Sequence, residues 1–369
     1  MTRTHPLTIA LLGPFGYGNL GDAAIQDAVI AQLRLQLPSA RIVGISMQPE
    51  DTLKRHGIET YAYDTEAHQL LNSSDQRSRK HRATADSGGV ESGGPITYWS
   101  FRLGAAISWR IARVRKWIAE FKHAWYAFRA LHQIDVLLVS GGGQLDEIWS
   151  GPYRHPFTLF KWTTLARLSH TKVAFLSVGT GSVDDVASRR FLRWALRAAS
   201  YVSFRDTGSY EIARTTIGAD LPSIVVPDMA FGLPVQALAR ATARATSGPL
   251  TVAVGPLPFY QPRIWPRRNQ AKYDAYVRLL ADFCGYLLSL DVRIVFVVGE
   301  VHQDPVVIAD ILKLLKERVS QSSAAMIAVP QIDTVSGLIR ELAAADLVVS
   351  SRFHGVLLAL LLHRPVLAP

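Results

Sequence analysis

The sequence predicts an α/β protein of two domains, each built on a parallel sheet. The chain has 369 residues, more than one ordinary core accommodates. Short, β-branched apolar runs alternate with helical patterns, which is the signature of βα units. Several of these runs are apolar throughout, as expected of strands covered by helices on both sheet faces.

In the first half the strand runs are 7–13, 40–46, 135–143, 172–179, 201–206 and 223–228. Residues 72–95 are rich in Ser, Gly and charge and read as a mobile loop. A long helical pattern follows at 96–132, carrying Trp99, Trp109, Trp117 and Trp125. Its cations, among them Arg102, Arg110, Arg115, Lys116, Lys122 and Arg129, stand against one acid, Glu120. Such a helix either lies on an anionic membrane surface or packs its aromatic face on the domain. A first domain at 1–235, a linker at 236–249 and a second domain at 250–369 follow from these runs. The second domain restarts with strands at 250–258, 292–300, 324–330 and 346–352, with a helix at 304–319. The sequence reaches Pro369 directly after the strand-like RPVLAP, so the second domain reads as truncated or as lacking its last helix.

Composition narrows the class. Hydrophobic residues make up 49% and charged residues 19%, a globular balance. The single cysteine, Cys284, sits in an apolar run and reads as a buried thiol in a reducing, cytoplasmic protein. The N-terminus lacks a signal-peptide pattern, and no window of about 18 uncharged apolar residues is present. The net charge of +10 suits anionic lipid or phosphorylated substrates. No nucleic-acid motif and no metal-ligand spacing stands out, so neither nucleic acid nor a metal is expected.

Four segments are candidates for chemistry. GPFGYGNLGD (13–22) joins a strand to a helix through glycines, an anion-binding design if it is more than a tight turn. Within it Gly18 permits close approach, Asn19 shapes the loop and Asp22 is placed to cap the helix. GGGQLDE (141–147) puts bare backbone at a sheet edge, with Gly142, Gly143 and Gln144 as contacts. Asp146 or Glu147 there is either a base for a hydroxyl or an ordinary cap. Arg205 ends a strand and is suited to a phosphate or carboxylate, or else pairs with Asp206 on the surface. SSRFHG (350–355) is the most specific, gathering Ser351, Arg352 and His354 at a strand-to-helix junction.

With these residues assembled, the chain resembles the polysaccharide pyruvyl transferase family over about residues 9–369. GYGNLGD (16–22), the GGG at 141–143 and SSRFHG (350–355) carry the resemblance, supported by FRDTGS (204–209) and PDMAF (227–231). The usual residue between the motif's Arg and His is leucine; here it is Phe353. The resemblance implies two Rossmann-like domains facing a cleft, as in glycosyltransferases of the GT-B type. It implies phosphoenolpyruvate as donor, a pyruvyl ketal on two sugar hydroxyls as product, and no resident cofactor. Arg205, Arg352 and His354 then hold the donor, with His354 and Asp146 as candidate catalytic groups. The acceptor is expected to be a sugar or lipid-linked oligosaccharide in the cytoplasm; contact with the inner face of the plasma membrane through 96–132 is one of the two readings of that helix. Two other readings remain open: a GT-B glycosyltransferase using a nucleotide sugar, and a non-catalytic binding protein in exopolysaccharide assembly.

Overall fold

The computed structural model of the protein describes residues 6–16, 18–69, 98–235 and 248–369, with backbone alone for 98–113. The loop expected at 72–95 and residues 236–247 of the expected linker lie outside these residues. So do the side chains of Trp99 and Trp109.

Among the described residues the first sheet has seven strands. They are β1 (Thr8–Leu12), β2 (Arg41–Ser46), β3 (Thr60–Ala62), β4 (Val136–Ser140), β5 (Lys172–Val178), β6 (Tyr201–Phe204) and β7 (Ile224–Val225). Their order is β3-β2-β1-β4-β5-β6-β7, with every pairing parallel. The second sheet comprises β8 (Thr251–Gly255), β9 (Arg293–Phe296), β10 (Ile327–Ala328), β11 (Leu347–Ser350) and β12 (Val366–Leu367), in the order β10-β9-β8-β11-β12. Both sheets repeat one topology. Each opens on a central strand, grows to one side and then crosses back. The chain thus leaves the carboxyl ends of neighbouring strands in opposite directions and opens a crevice there.

The strands are shorter than their apolar runs, for local reasons. The run at 135–143 stops at Ser140 because Gly141 and Gly142 adopt φ of 58° and 69°. The run at 324–330 shrinks to β10 because residues 321–324 form a helical turn capped by Ser320. Strand β3 is too short for its period to register in sequence.

Helices cover the first sheet on both faces. The main ones are α1 (Leu20–Gln36), α2 (Pro49–His56), α3 (Tyr98–Leu131), α4 (His155–Leu168) and α5 (Val186–Ala198). Alternation along β1 separates two cores. Ala10 and Leu12 pack with Ala127, Leu131, Trp162 and Leu192. Ile9 and Leu11 pack with α1, through Ala24 and Ala28, in a core that continues into the second domain at Val254 and Phe296. Backbone bonds join the domains at the same place: Leu20 N–H donates to the Gly299 carbonyl at 2.8 Å, and Val301 N–H donates to that of Gly18 at 3.0 Å.

Trp162 is fully buried and its indole N–H donates to the Tyr63 carbonyl at 2.8 Å. Trp162→Ala is expected to cost about 3–5 kcal/mol in denaturant unfolding, and a loss under about 1 kcal/mol would contradict this packing. Two buried histidines add a pH dependence. Burial, aided by the Lys161 charge, lowers His123 to about 3, and burial lowers His155 to about 4, both from 6.5. Above 6.5 each is neutral whether folded or unfolded. As pH falls below that value the unfolded chain takes protons that the folded chain refuses, so stability is lost. Over pH 7 to 4.5 the His123→Asn variant should gain stability relative to the wild type as pH falls, in unfolding free energies measured side by side; a constant difference would contradict the burial of a neutral His123.

Candidate functional site

The glycine loop after β1 sets one wall of the crevice. Gly16 and Gly18 hold φ of 92° and 76°, values that favour glycine. The Asn19 side chain caps α1, accepting from the N–H of Gly21 at 3.0 Å and of Asp22 at 3.3 Å. The capping role expected of Asp22 therefore belongs to Asn19. The reason is position: Asn19 precedes the first helical residue, whereas Asp22 lies inside the first turn and keeps its carboxylate for the crevice. Gly21 is required by a neighbour from the other domain, since a Cβ there would sit 2.1 Å from His354 Nδ1.

The opposite wall is the junction of β11 with α6 (Phe353–Leu361). Ser350 Oγ accepts from Arg352 N–H at 3.1 Å, and Ser351 N–H donates to the Gly255 carbonyl at 3.0 Å. The Ser351 hydroxyl shares a 2.8 Å hydrogen bond with that of Tyr276. No described side chain caps α6, so its first N–H groups remain for a ligand. Arg352 is fixed by the fully buried Asp304: its Nε reaches the two carboxylate oxygens at 3.1 and 3.0 Å, and its Nη2 bonds Oδ1. Asp304 also accepts from the N–H groups of Gly299 at 2.7 Å and Glu300 at 2.9 Å. Asp304 thus locks Arg352 in place through Nε and Nη2, with Nη1 outside that pairing.

Arg205, at the end of β6, reaches the same point from the first domain. It lies across Gly179, where a Cβ would come within 2.4 Å of its Nε. Its guanidinium carbon stands 4.8 Å over the Phe353 ring, a cation–π contact between the domains. The expected pairing with Asp206 is present at 3.3 Å, but Arg205 also lies 3.9 Å from Asp228. Asp228 is buried, and one oxygen accepts from Ala230 N–H at 2.9 Å. Its other oxygen faces His354 Nε2 at 3.8 Å, and both atoms are buried without a hydrogen-bond partner among the described residues. That gap is too long for a direct bond.

Asp22, Asp228, Arg205, Arg352 and His354 form one electrostatic cluster. Burial raises the Asp22 carboxyl above its ordinary value despite the pull of His354, Arg205 and Arg352. Burial also pushes Asp228 up, but His354 and Arg205 outweigh it and leave its carboxyl below the ordinary value. Neighbouring carboxyls driven apart in this way mark groups suited to different protonation roles.

The GGG loop flanks the cluster. A Cβ on Gly142 would meet Asp22 Oδ1 at 3.2 Å and the Gln144 amide nitrogen at 3.6 Å, while Gly143 faces open space. Gln144 is buried with its Oε1 unpaired among the described residues, and its carbonyl accepts from His155 Nε2 at 2.6 Å. Asp146 sits on an adjoining wall, against Gly181, where it bonds the Ile148 N–H. Burial raises its carboxyl, and its charged neighbours are Glu147 and Arg267. Glu147 caps the next loop, accepting from the N–H of Asp184 at 2.5 Å and Asp185 at 2.8 Å. Beyond Asp146, Trp149 and Trp265 meet across the domains with ring centres 5.2 Å apart. Phe259 links Trp265 to Tyr276, and so to Ser351.

Asp228, Asp304 and Tyr276 are the site residues that sequence reading did not select. Asp228 stood within PDMAF, a visible motif without an assigned role. Asp304 and Tyr276 occur in ordinary helical patterns and carry no local signal.

The raised Asp22 carboxyl gives a stability prediction. The folded protein holds this proton more tightly than the unfolded chain does. That stabilisation is complete below 3.8 and is lost as pH rises through the folded value. Asp22→Asn is therefore expected to raise the melting temperature at pH 7 and to have little effect at pH 3. A lower melting temperature at pH 7 would contradict the burial of an ionised Asp22.

Comparisons with known proteins agree with this architecture. The model of the family described as polysaccharide pyruvyl transferase matches residues 19–368. No curated protein matches the chain. Among solved structures, a glycosyltransferase from Rickettsia africae is similar with a TM-score of 0.54 at 10% identity, covering 99% of this chain and 79% of that one. UDP-GlcNAc 2-epimerase from Neisseria meningitidis has a TM-score of 0.53 at 10% identity, covering 99% and 82%. The epimerase from Methanocaldococcus jannaschii has 0.51 at 12%, covering 98% and 82%. At these identities the likeness establishes the fold alone, two Rossmann-like domains of the GT-B type. With the family model spanning nearly the whole chain and its motifs meeting in one crevice, the protein belongs to the polysaccharide pyruvyl transferase family.

Proposed function

We propose that this protein transfers the enolpyruvyl group of phosphoenolpyruvate to two hydroxyls of one sugar, forming a ketal and releasing phosphate. The observation that carries this reading is the meeting of Arg205, Arg352 and His354 beside an uncapped helix N-terminus. Phosphoenolpyruvate bears a phosphate and a carboxylate, and those cations and N–H groups suit both. No resident cofactor is needed, because the donor supplies the reactive double bond.

On this reading His354 protonates the donor's methylene carbon, and positive charge develops at C2. One sugar hydroxyl adds there and its proton returns to the imidazole. The second hydroxyl attacks C2 as the C–O bond to phosphate breaks, and its proton leaves with the phosphate. One hydroxyl proton ends on the new methyl group and the other on phosphate. Asp228, 3.8 Å from Nε2, favours the protonated imidazole by its charge. On this reading Asp22 orients an acceptor hydroxyl, where the sequence alone offers Asp146 or Glu147 as its base. The Trp149–Trp265 pair offers a stacking wall for the acceptor, either a free sugar or a lipid-linked oligosaccharide at the membrane face.

Phosphate release from phosphoenolpyruvate over a panel of oligosaccharide acceptors tests the scheme. His354→Ala should lower kcat on the order of 10²–10⁴-fold. Unchanged turnover in that variant would remove His354 from the proton transfer. Phe353→Leu should raise the KM for phosphoenolpyruvate by about two- to fivefold at nearly constant kcat, as Arg205 loses the ring beneath it. Phe353→Trp should restore it. If Phe353→Leu leaves KM unmoved, the ring does not position Arg205.

A further inference from the structure

Helix α3 packs against the first domain with His123, Ala127, Ala130 and Leu131. Its other face is apolar too, yet points to solvent. Val114 is 57% exposed, Trp117 67%, Ile118 50%, Phe121 75% and Trp125 58%. These positions recur at helical spacing and form one continuous stripe. Folded proteins rarely leave such a stripe uncovered without a partner for it.

The charges around the stripe identify the partner. Arg115, Lys116, Lys122 and Arg129 are exposed beside it. Glu120, the acid of this segment, turns inward, where the buried Lys161 ammonium donates to it at 2.8 Å. The outward face is therefore aromatic and cationic with no acid among its described side chains. Helix α4 packs between α3 and α5, and α5 carries a second exposed patch. Phe160 of α4 contacts Phe191 and Trp194 of α5. Trp194 is itself 67% exposed, with Arg190 and Arg197 exposed on the same helix.

A protein interface usually excludes charge from its centre. Aromatic rings interleaved with cations suit instead the boundary of an anionic bilayer. There, indole and phenyl rings settle at headgroup depth while Lys and Arg meet the phosphates. No described helix is long and apolar enough to cross a membrane, so the contact is along the surface. The 34 residues of α3 span about 51 Å, far longer than the strands it covers.

We infer that the outer faces of α3 and α5 form a docking surface for anionic phospholipid bilayers. The surface stands independently of the donor chemistry. It rests on the proposed function only in bringing a lipid-linked acceptor to the crevice.

Co-sedimentation of the full chain with vesicles tests this. One set contains phosphatidylglycerol mixed with phosphatidylcholine, the other phosphatidylcholine alone. The wild type should pellet with the anionic set, remain in the supernatant with the neutral set, and be released by high salt. Lys116→Glu with Lys122→Glu should weaken binding on the order of fivefold or more per charge. The triple variant Trp117→Ser, Phe121→Ser, Trp125→Ser replaces exposed side chains only. It should lose vesicle binding while keeping its melting temperature and its phosphoenolpyruvate affinity. Wild type that stays in the supernatant with anionic vesicles at low salt would overturn the inference, as would a triple variant that still pellets. A wild-type dimer converted to monomer by the triple substitution, with no vesicle binding, would assign the stripe to a second copy instead. Vesicle binding by a wild type that ignores phosphoenolpyruvate would sink the donor reading and leave this surface standing.

Discussion

The crevice depends on one contact, the seating of the first turn of α1 against the second domain. Backbone bonds from Leu20 to Gly299 and from Val301 to Gly18 hold it at 2.8 and 3.0 Å. Such bonds specify position without side chains, so loop residues are free to be glycine. Gly21 then lets the His354 ring lie directly on the helix, where any side chain would collide. The same turn presents Asp22 to the cations of both domains. Shifting this seat would move the imidazole, the carboxylate and the helix dipole together.

The charges around that seat are held in graded degrees of freedom. Arg352 is committed to Asp304, which is itself tied to the N–H groups of Gly299 and Glu300. This anchors the second domain's motif to the loop that grips α1. Arg205 is less encumbered, resting on a ring and on the bare backbone of Gly179. Among the described residues His354 Nε2 and Asp228 Oδ2 have no hydrogen-bond partner in a buried setting, which costs stability unless a ligand atom or proton completes the pair. Polar atoms left short of partners around a crevice are consistent with a site organised for a ligand rather than for rigidity.

Much of the fold was legible because buried parallel strands write themselves as apolar runs and glycines mark where they end. β1, β4 and β11 were readable on those grounds, and so were the loops that follow them. The motif residues Arg205, Arg352 and His354 were legible because strand-to-helix junctions at a sheet edge point their side chains into the crevice. Relations between distant segments were not. Nothing local to Asp304 says that it will lock Arg352, and nothing in PDMAF says that Asp228 will face an imidazole from the other domain. The exchange of roles between Asn19 and Asp22 turned on where the helix begins, and a shift of a few residues in that boundary reassigns the cap. On α3 the alternation of aromatic and basic residues was visible, but only packing decides which face is buried.

Calorimetric titration of the purified protein with phosphoenolpyruvate, alongside Arg205→Ala and a parallel titration with UDP-sugars, tests whether the crevice holds this donor. The wild type should bind phosphoenolpyruvate saturably, with binding weakened on the order of tenfold or more in Arg205→Ala. UDP-sugars should show no comparable binding. A folded wild type that binds a UDP-sugar and ignores phosphoenolpyruvate would contradict the donor reading and assign the crevice to a nucleotide donor.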